Sequence, residues 1–209
     1  MLILSRADVE AVLELDALRR AVGDALSDVS AGRASMPPRI AARVDEPEGL
    51  LGAMPAYLPA LSGLGTKLVS LFPGNAGGPL PTHQAVILLF DAANGQPIAL
   101  MDGTHITAVR TAAASALSVE HLARPGARIL ALLGSGVQAR AHADAVVRVR
   151  DFTEIRVAGR TREHAERLVA ELSTRLQSPV HRGSPPRRHV TGRPTPALLP
   201  RPWQPALTR

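Results

Sequence analysis

The chain has 209 residues, 45% hydrophobic but only 2% aromatic, so a core must be built from Ala, Val, Leu and Ile. It contains no cysteine for a disulfide framework or a thiolate metal site, and no apolar run near the ~20 residues of a membrane span. The net charge of +6 would suggest nucleic acid, but residues 1–171 carry 17 Lys and Arg against 18 acids, while residues 172–209 hold seven arginines and no acid.

The first residues, MLILSRADVE, reach an Asp and a Glu too early for a secretory signal, and a cytoplasmic protein is expected. Ser5 followed by Asp8 predicts a capping box. Leu18, Val22, Leu26 and Val29 recur at helical spacing, with Gly32 as the stop. The segment MPPRIAARV is extended after its prolines, and GLLGAMPAYLP and LGTKLVSLF read as strands. AVILLFDAANGQPIALMDG predicts a hairpin turning at Asn94-Gly95, and TAVRTAAASALSVEHLA a helix. Then comes a strand–glycine turn–helix, ARILALLGSGVQARAHADAVVRV. A second strand, TEIRVAGR, and a second helix with Thr161 as its cap and Glu163 in its first turn complete the opening of a doubly wound parallel sheet. The fold class is α/β, with an N-terminal α/β domain over 1–110 and a partial Rossmann domain over 111–172.

Residues 173–209 contain eight prolines and seven arginines without periodicity, and we expect them to be disordered. A nucleic-acid or membrane arm would be the functional reading. The abrupt change after a well-formed helix, with Pro, Arg, Ala, Gly and His prominent, points instead to GC-rich sequence translated out of frame. We therefore expect no nucleic-acid or membrane partner.

Gly134-Ser-Gly136-Val-Gln-Ala139 is a G-x-G-x-x-A pattern between a strand and a helix. Gly134 permits a tight turn and Gly136 a close approach of backbone to a pyrophosphate. The N–H groups of Gly136, Val137 and Gln138 then face the phosphates. A tight turn without ligand is the alternative. At the end of the second strand, VAGRT offers no acid for a ribose 2′-hydroxyl. Arg160, assisted by Thr161, could pair with a 2′-phosphate, so NADP(H) is favoured and NAD(H) is the alternative; Arg160 as a solvated charge is the bland reading. His83, His105 and His142 lack ligand spacing, and no metal site is expected.

Lys67 is the sole lysine among 24 Lys and Arg. Its strand neighbours Val69 and Leu71 predict a buried face, where an unpaired ammonium needs a partner or ligand. A lysine also offers a tunable pKa that arginine cannot.

The stretches MPAYLPALSGLGTKLVSLFPGN, PTHQAVILLFDAANGQPIALMDGTHITAVRTAAASALS, GSGVQARAH and VAGRT, in this order, resemble the ornithine cyclodeaminase/mu-crystallin family over about residues 1–172. The resemblance implies a homodimer formed by the N-terminal domain and hydride transfer between NAD(P) and the α-carbon of an amino or imino acid. It implies that Arg39 grips the substrate carboxylate, that Arg110 contacts carboxylate and cofactor, that Lys67 lies beside the reacting carbon, and that Thr82 lies near the nicotinamide. Read from the residues alone, Arg39 and Arg110 could be ordinary surface charges. Family members include ornithine cyclodeaminases, alanine dehydrogenase-like enzymes and ketimine reductases. Gly52 stands where ornithine-specific members tend to carry an acid. The aspartate that cyclodeaminases use as general acid/base has no match, so no base is assigned and the chain alone is expected to be inactive and poorly soluble. A non-catalytic, crystallin-like dimeric binding protein is the alternative.

Overall fold

The structure is a computed structural model and describes residues 1–183. It opens with β1 (Leu2–Leu4), α1 (Arg6–Val12) and α2 (Leu15–Ser30), followed by β2 (Ile40–Val44), β3 (Gly49–Leu58), β4 (Gly63–Leu71), β5 (His83–Asp91) and β6 (Pro97–Asp102). These five later strands and β1 make one sheet in the order β1-β6-β5-β4-β3-β2, antiparallel except where β1 joins β6. The capping box of Ser5 and Asp8 is present, and Gly32 ends α2 with a φ of 70°. The start of α2 is set by Glu14, whose carboxylate accepts from the N–H groups of Asp16 and Ala17 at 2.8 and 2.6 Å. The β5–β6 hairpin turns over residues 92–96, with Gly95 at a φ of 76°.

Helix α3 (Gly103–Leu122) packs on β5 and β4 and against α2. A side chain at Gly103 would lie 3.1 Å from the backbone of Ala85 and Val86, so only glycine lets the helix start this close to the sheet. Its alanines carry the contact with the second half: Ala112 and Ala116 are buried with Ala145, Val146 and Phe152. Residue 110, where the two domains are expected to meet, lies inside α3.

The second sheet is β7 (Ile129–Leu133), β8 (Glu154–Ala158) and β9 (Val180–Arg182), all parallel, with α4 (Val137–Val146) and α5 (Arg162–Arg175) between them. Its core is Leu132, Ala143, Ile155, Val157, Ala165, Leu168, Leu172 and Val180. This corrects the expected end of structure near residue 172. The helix continues to Arg175, and β9 adds a third strand, held by N–H···O bonds from Ile155 to Pro179 (2.9 Å) and from Gly183 to Val157 (2.8 Å). The remainder of the expected tail, residues 184–209, lies outside the described residues. Among the described residues, no helix is long and apolar enough to cross a membrane.

Candidate functional site

Lys67 lies in the middle of the first sheet, paired with Met54 on β3 and Ile87 on β5. Side chains alternate along a strand, so Lys67 shares its face with Val69, which is buried. Leu71, expected on the same buried face, is instead 38% exposed, because it lies at the strand end beyond that packing. Arg39 directly precedes β2, whose first pair joins Ile40 to Ala53, so Arg39 comes level with Met54 and two strands, about 10 Å, from Lys67. Arg110 reaches the same place from α3, two turns beyond Gly103. Burial and the guanidiniums of Arg110 and Arg39 push the Lys67 ammonium below the ordinary lysine value. Among the described residues, none of the three cations has a carboxylate within ion-pair distance.

Upstream of Arg39, the loop after α2 is tied down by a buried carboxylate. Asp28, 1% exposed, accepts from Arg33 Nε at 2.9 Å and from the Ala60 N–H at 3.1 Å. These two donors lower its pKa. Ser35 and Tyr57 then exchange two backbone bonds of 2.9 Å, which fixes the chain as it enters Met36-Pro37-Pro38-Arg39.

The glycine motif forms the other half of the site. Gly134 has a φ of 123°, a region open only to glycine, and its N–H bonds the Ala158 carbonyl at 2.7 Å. Gly136 is the N-cap of α4, and no side chain satisfies the helix's first N–H groups. A side chain at Gly136 would meet nothing within 4 Å, so the turn faces open space. Arg140 braces it, donating to the Ser135 carbonyl (3.1 Å) and to Glu171 (2.6 Å). The open space is a cavity of about 500 Å³ lined by Leu133, Gly134, Ser135, Gly136, Ala158, Gly159, Arg160, Thr161 and His164. Free N–H groups, a strained glycine turn and a cation-lined cavity fit the pyrophosphate and ribose of a dinucleotide.

Helix α4 is clamped onto α3 by His142. A carbonyl can only accept, so His142 Nδ1 donates to the Gln138 carbonyl (2.6 Å). Its Nε2 then accepts from Ser115 Oγ (2.9 Å) in the neutral ring. The helix that carries Arg110 is thereby tied to the first turn of the phosphate-facing helix. His105, read as lacking ligand spacing, faces Glu10 at 3.3 Å.

The structure thus brings Arg39, Lys67 and Arg110 together, and separately gathers Gly134, Gly136, Arg160 and Thr161 around one cavity. Val137 and Gln138 are exposed and do not line that cavity. Thr161 is the N-cap of α5, but its hydroxyl makes no capping bond. Thr82 precedes β5, does not line the glycine cavity, and its carbonyl accepts from the Phe72 N–H (2.9 Å). Ser135, Gly159 and His164 were missed by sequence reasoning. For His164, the available signal was its position three residues after Thr161, on the same side of the helix.

A family model described as the ornithine cyclodeaminase/mu-crystallin family matches residues 1–193. The chain belongs to this family. The match extends past residue 172, where the family pattern was expected to end. The ketimine reductase mu-crystallin of Rattus norvegicus is 43% identical over 141 residues, covering 68% of this chain and 45% of that protein. The chain spans about half the length of the curated relatives it matches. The Thermococcus litoralis Δ1-pyrroline-2-carboxylate reductase, solved with NADH and L-proline, superposes with a TM-score of 0.82 at 36% identity, covering 88% of this chain and 57% of that one. An archaeal alanine dehydrogenase dimer with bound NAD gives 0.81 at 32% identity, covering 89% and 56%. Relatives of the family are NAD(P)-dependent imino- and amino-acid oxidoreductases, and the α/β fold with a dinucleotide-type parallel sheet is common to them.

Proposed function

We propose that this chain holds the carboxylate and dinucleotide sites of an NAD(P)-dependent imino- or amino-acid oxidoreductase. The observation that carries this reading is the convergence of Arg39, Lys67 and Arg110 without an acid to neutralise them. Arg39 and Arg110 are exposed and Lys67 is half-buried, so the trio is open to an incoming carboxylate. The guanidiniums of Arg39 and Arg110 hold and orient that carboxylate, which fixes the α-carbon. Lys67, its ammonium weakened by burial and like charge, can hold or release a proton at Nζ beside that carbon. Gly134, Gly136 and the open N–H groups of Val137 and Gln138 receive the pyrophosphate, and Thr82 contacts the nicotinamide end. When bound, NAD(P)H supplies a hydride to the α-carbon. Arg160 and Thr161 favour NADP(H), with NAD(H) the alternative.

We infer that this chain by itself binds without turning over, a crystallin-like role, with Lys67 its one candidate for proton transfer among the three cations. The protein acts as a homodimer through the helix-free face of the six-stranded sheet, and its cysteine-free composition supports a cytoplasmic setting. Dihydronicotinamide fluorescence and absorbance test both parts: NADPH should bind, and L-proline should tighten that binding, while a cyclic imino acid leaves the absorbance unchanged. Turnover would refute the binding-only reading, and failure of NADPH and NADH alike to bind would refute the dinucleotide site.

A further inference from the structure

We propose that His164 is a third contact for the 2′-phosphate of the dinucleotide, beside Arg160 and Thr161, and sets the preference for NADP(H) over NAD(H). This rests on reading the glycine cavity as the dinucleotide site.

The cavity runs from the Gly134–Gly136 turn, where a pyrophosphate would lie, to the end of β8 and the first turn of α5, where an adenosine ribose would lie. Only two of its lining residues carry a chargeable side chain, Arg160 and His164, and both are basic. Neither takes part in a hydrogen bond or ion pair among the described residues, and the Thr161 hydroxyl makes no capping bond. The neighbouring charges are engaged or turned elsewhere. Glu166 on α5 pairs with Arg162 at 2.7 Å and with Arg182 of β9 at 3.7 Å. Arg140 of α4 is committed to Glu171 and the Ser135 carbonyl. Glu163 shares the first turn of α5 but does not line the cavity.

His164 stands three residues after Thr161, so its imidazole rises over the same side of the helix as the Thr161 hydroxyl. Gly159 keeps the floor between them open; a side chain there would come within 3.3 Å of Ser135 Oγ. A ribose bearing only a 2′-hydroxyl would find no carboxylate to accept from it. A 2′-phosphate would find a guanidinium, an imidazole and a hydroxyl, each free to donate.

Binding of NADPH, NADH, 2′-AMP and 5′-AMP to the wild-type chain, His164→Ala and His164→Glu tests this. His164→Ala should weaken NADPH and 2′-AMP about tenfold while NADH and 5′-AMP stay within about twofold. His164→Glu should bring NADPH below NADH. If His164→Ala weakens NADPH and NADH equally, or changes neither, the proposal is overturned while the dinucleotide site stands. If the wild-type chain binds no nucleotide, the site reading falls and the proposal with it.

Discussion

The Lys67 ammonium is flanked by Met54 and Ile87 and faces two guanidiniums, so its proton is held less tightly in the folded chain than in the unfolded one. Between that lowered value and the ordinary lysine value of about 10.4, the unfolded chain binds more protons, so this residue makes stability rise with pH across that window. A bound carboxylate reverses the balance and restores the ammonium. Binding of L-proline at a pH within that window should therefore take up protons, which calorimetry in two buffers of different ionisation enthalpy measures. Lys67→Met should abolish the uptake and weaken binding by about 10–100-fold, the range for losing a charged hydrogen bond. Lys67→Arg should bind without proton uptake, and unchanged uptake in Lys67→Met would sink the argument. Asp28 gives the opposite sign. Its pKa is lowered by the Ala60 N–H and Arg33, so its contribution is present above the unfolded value of about 3.9 and lost as pH falls through the folded one. Thermal unfolding of Asp28→Asn should show a flatter acid limb than wild type, and a superimposable limb would remove Asp28 from the account.

Two glycines of one motif have separable roles at the element scale. Gly134 sits at a φ of 123°, so Gly134→Ala should cost about 1–3 kcal/mol in denaturant unfolding. Gly136 has a φ of −89°, and a side chain there would touch nothing within 4 Å. Gly136→Ala should leave stability within about 0.5 kcal/mol yet weaken NADH and NADPH together, by filling space a pyrophosphate needs. A Gly136→Ala variant that binds both normally would mean the turn serves packing alone. This motif was legible in the sequence because a local pattern, strand then glycine turn then helix, carries it. Strands β3 to β6 were legible from local pattern too, and β2 as an extended segment, but the three-residue β1 was not, because it is made by parallel pairing with β6. Strand β9 was not: Val180-His-Arg lies in an arginine- and proline-rich stretch, and only Val180 is buried, so pairing with β8 makes the strand where local propensity does not. The cation cluster lay between these cases. The sequence marked Lys67 as unusual, but its proximity to Arg39 depends on the register of three strands, and the Asp28 anchor on a contact 32 residues away. Local pattern encodes neither.

For the whole molecule, the decisive feature is the sheet face opposite Lys67. Ile40, Ala53, Leu68 and Val86 form one row across four strands on that face, by the same register that puts Lys67 on the other. Ile40 is 68% exposed and Val86 41%, and Ile3, Val44 and Leu51 are also exposed. The helices that pack on the sheet lie over the Val69 and Ala85 side, where Gly103 starts α3. An apolar sheet face left in water is an association surface. In the proposed homodimer a second copy of the same face would cover it by two-fold symmetry, and a stable interface needs about 800 Å² from each partner. Light scattering should therefore give twice the 22.0 kDa chain mass. The double variant Ile40→Glu with Val86→Glu should give a monomer that still binds NADPH, because neither residue lines the glycine cavity. The control is Ile129→Glu on β7, 48% exposed in the other sheet, which should leave the dimer intact. A wild-type monomer would refute the association surface, and a dimer that survives the double variant but not the β7 change would move it to the parallel sheet.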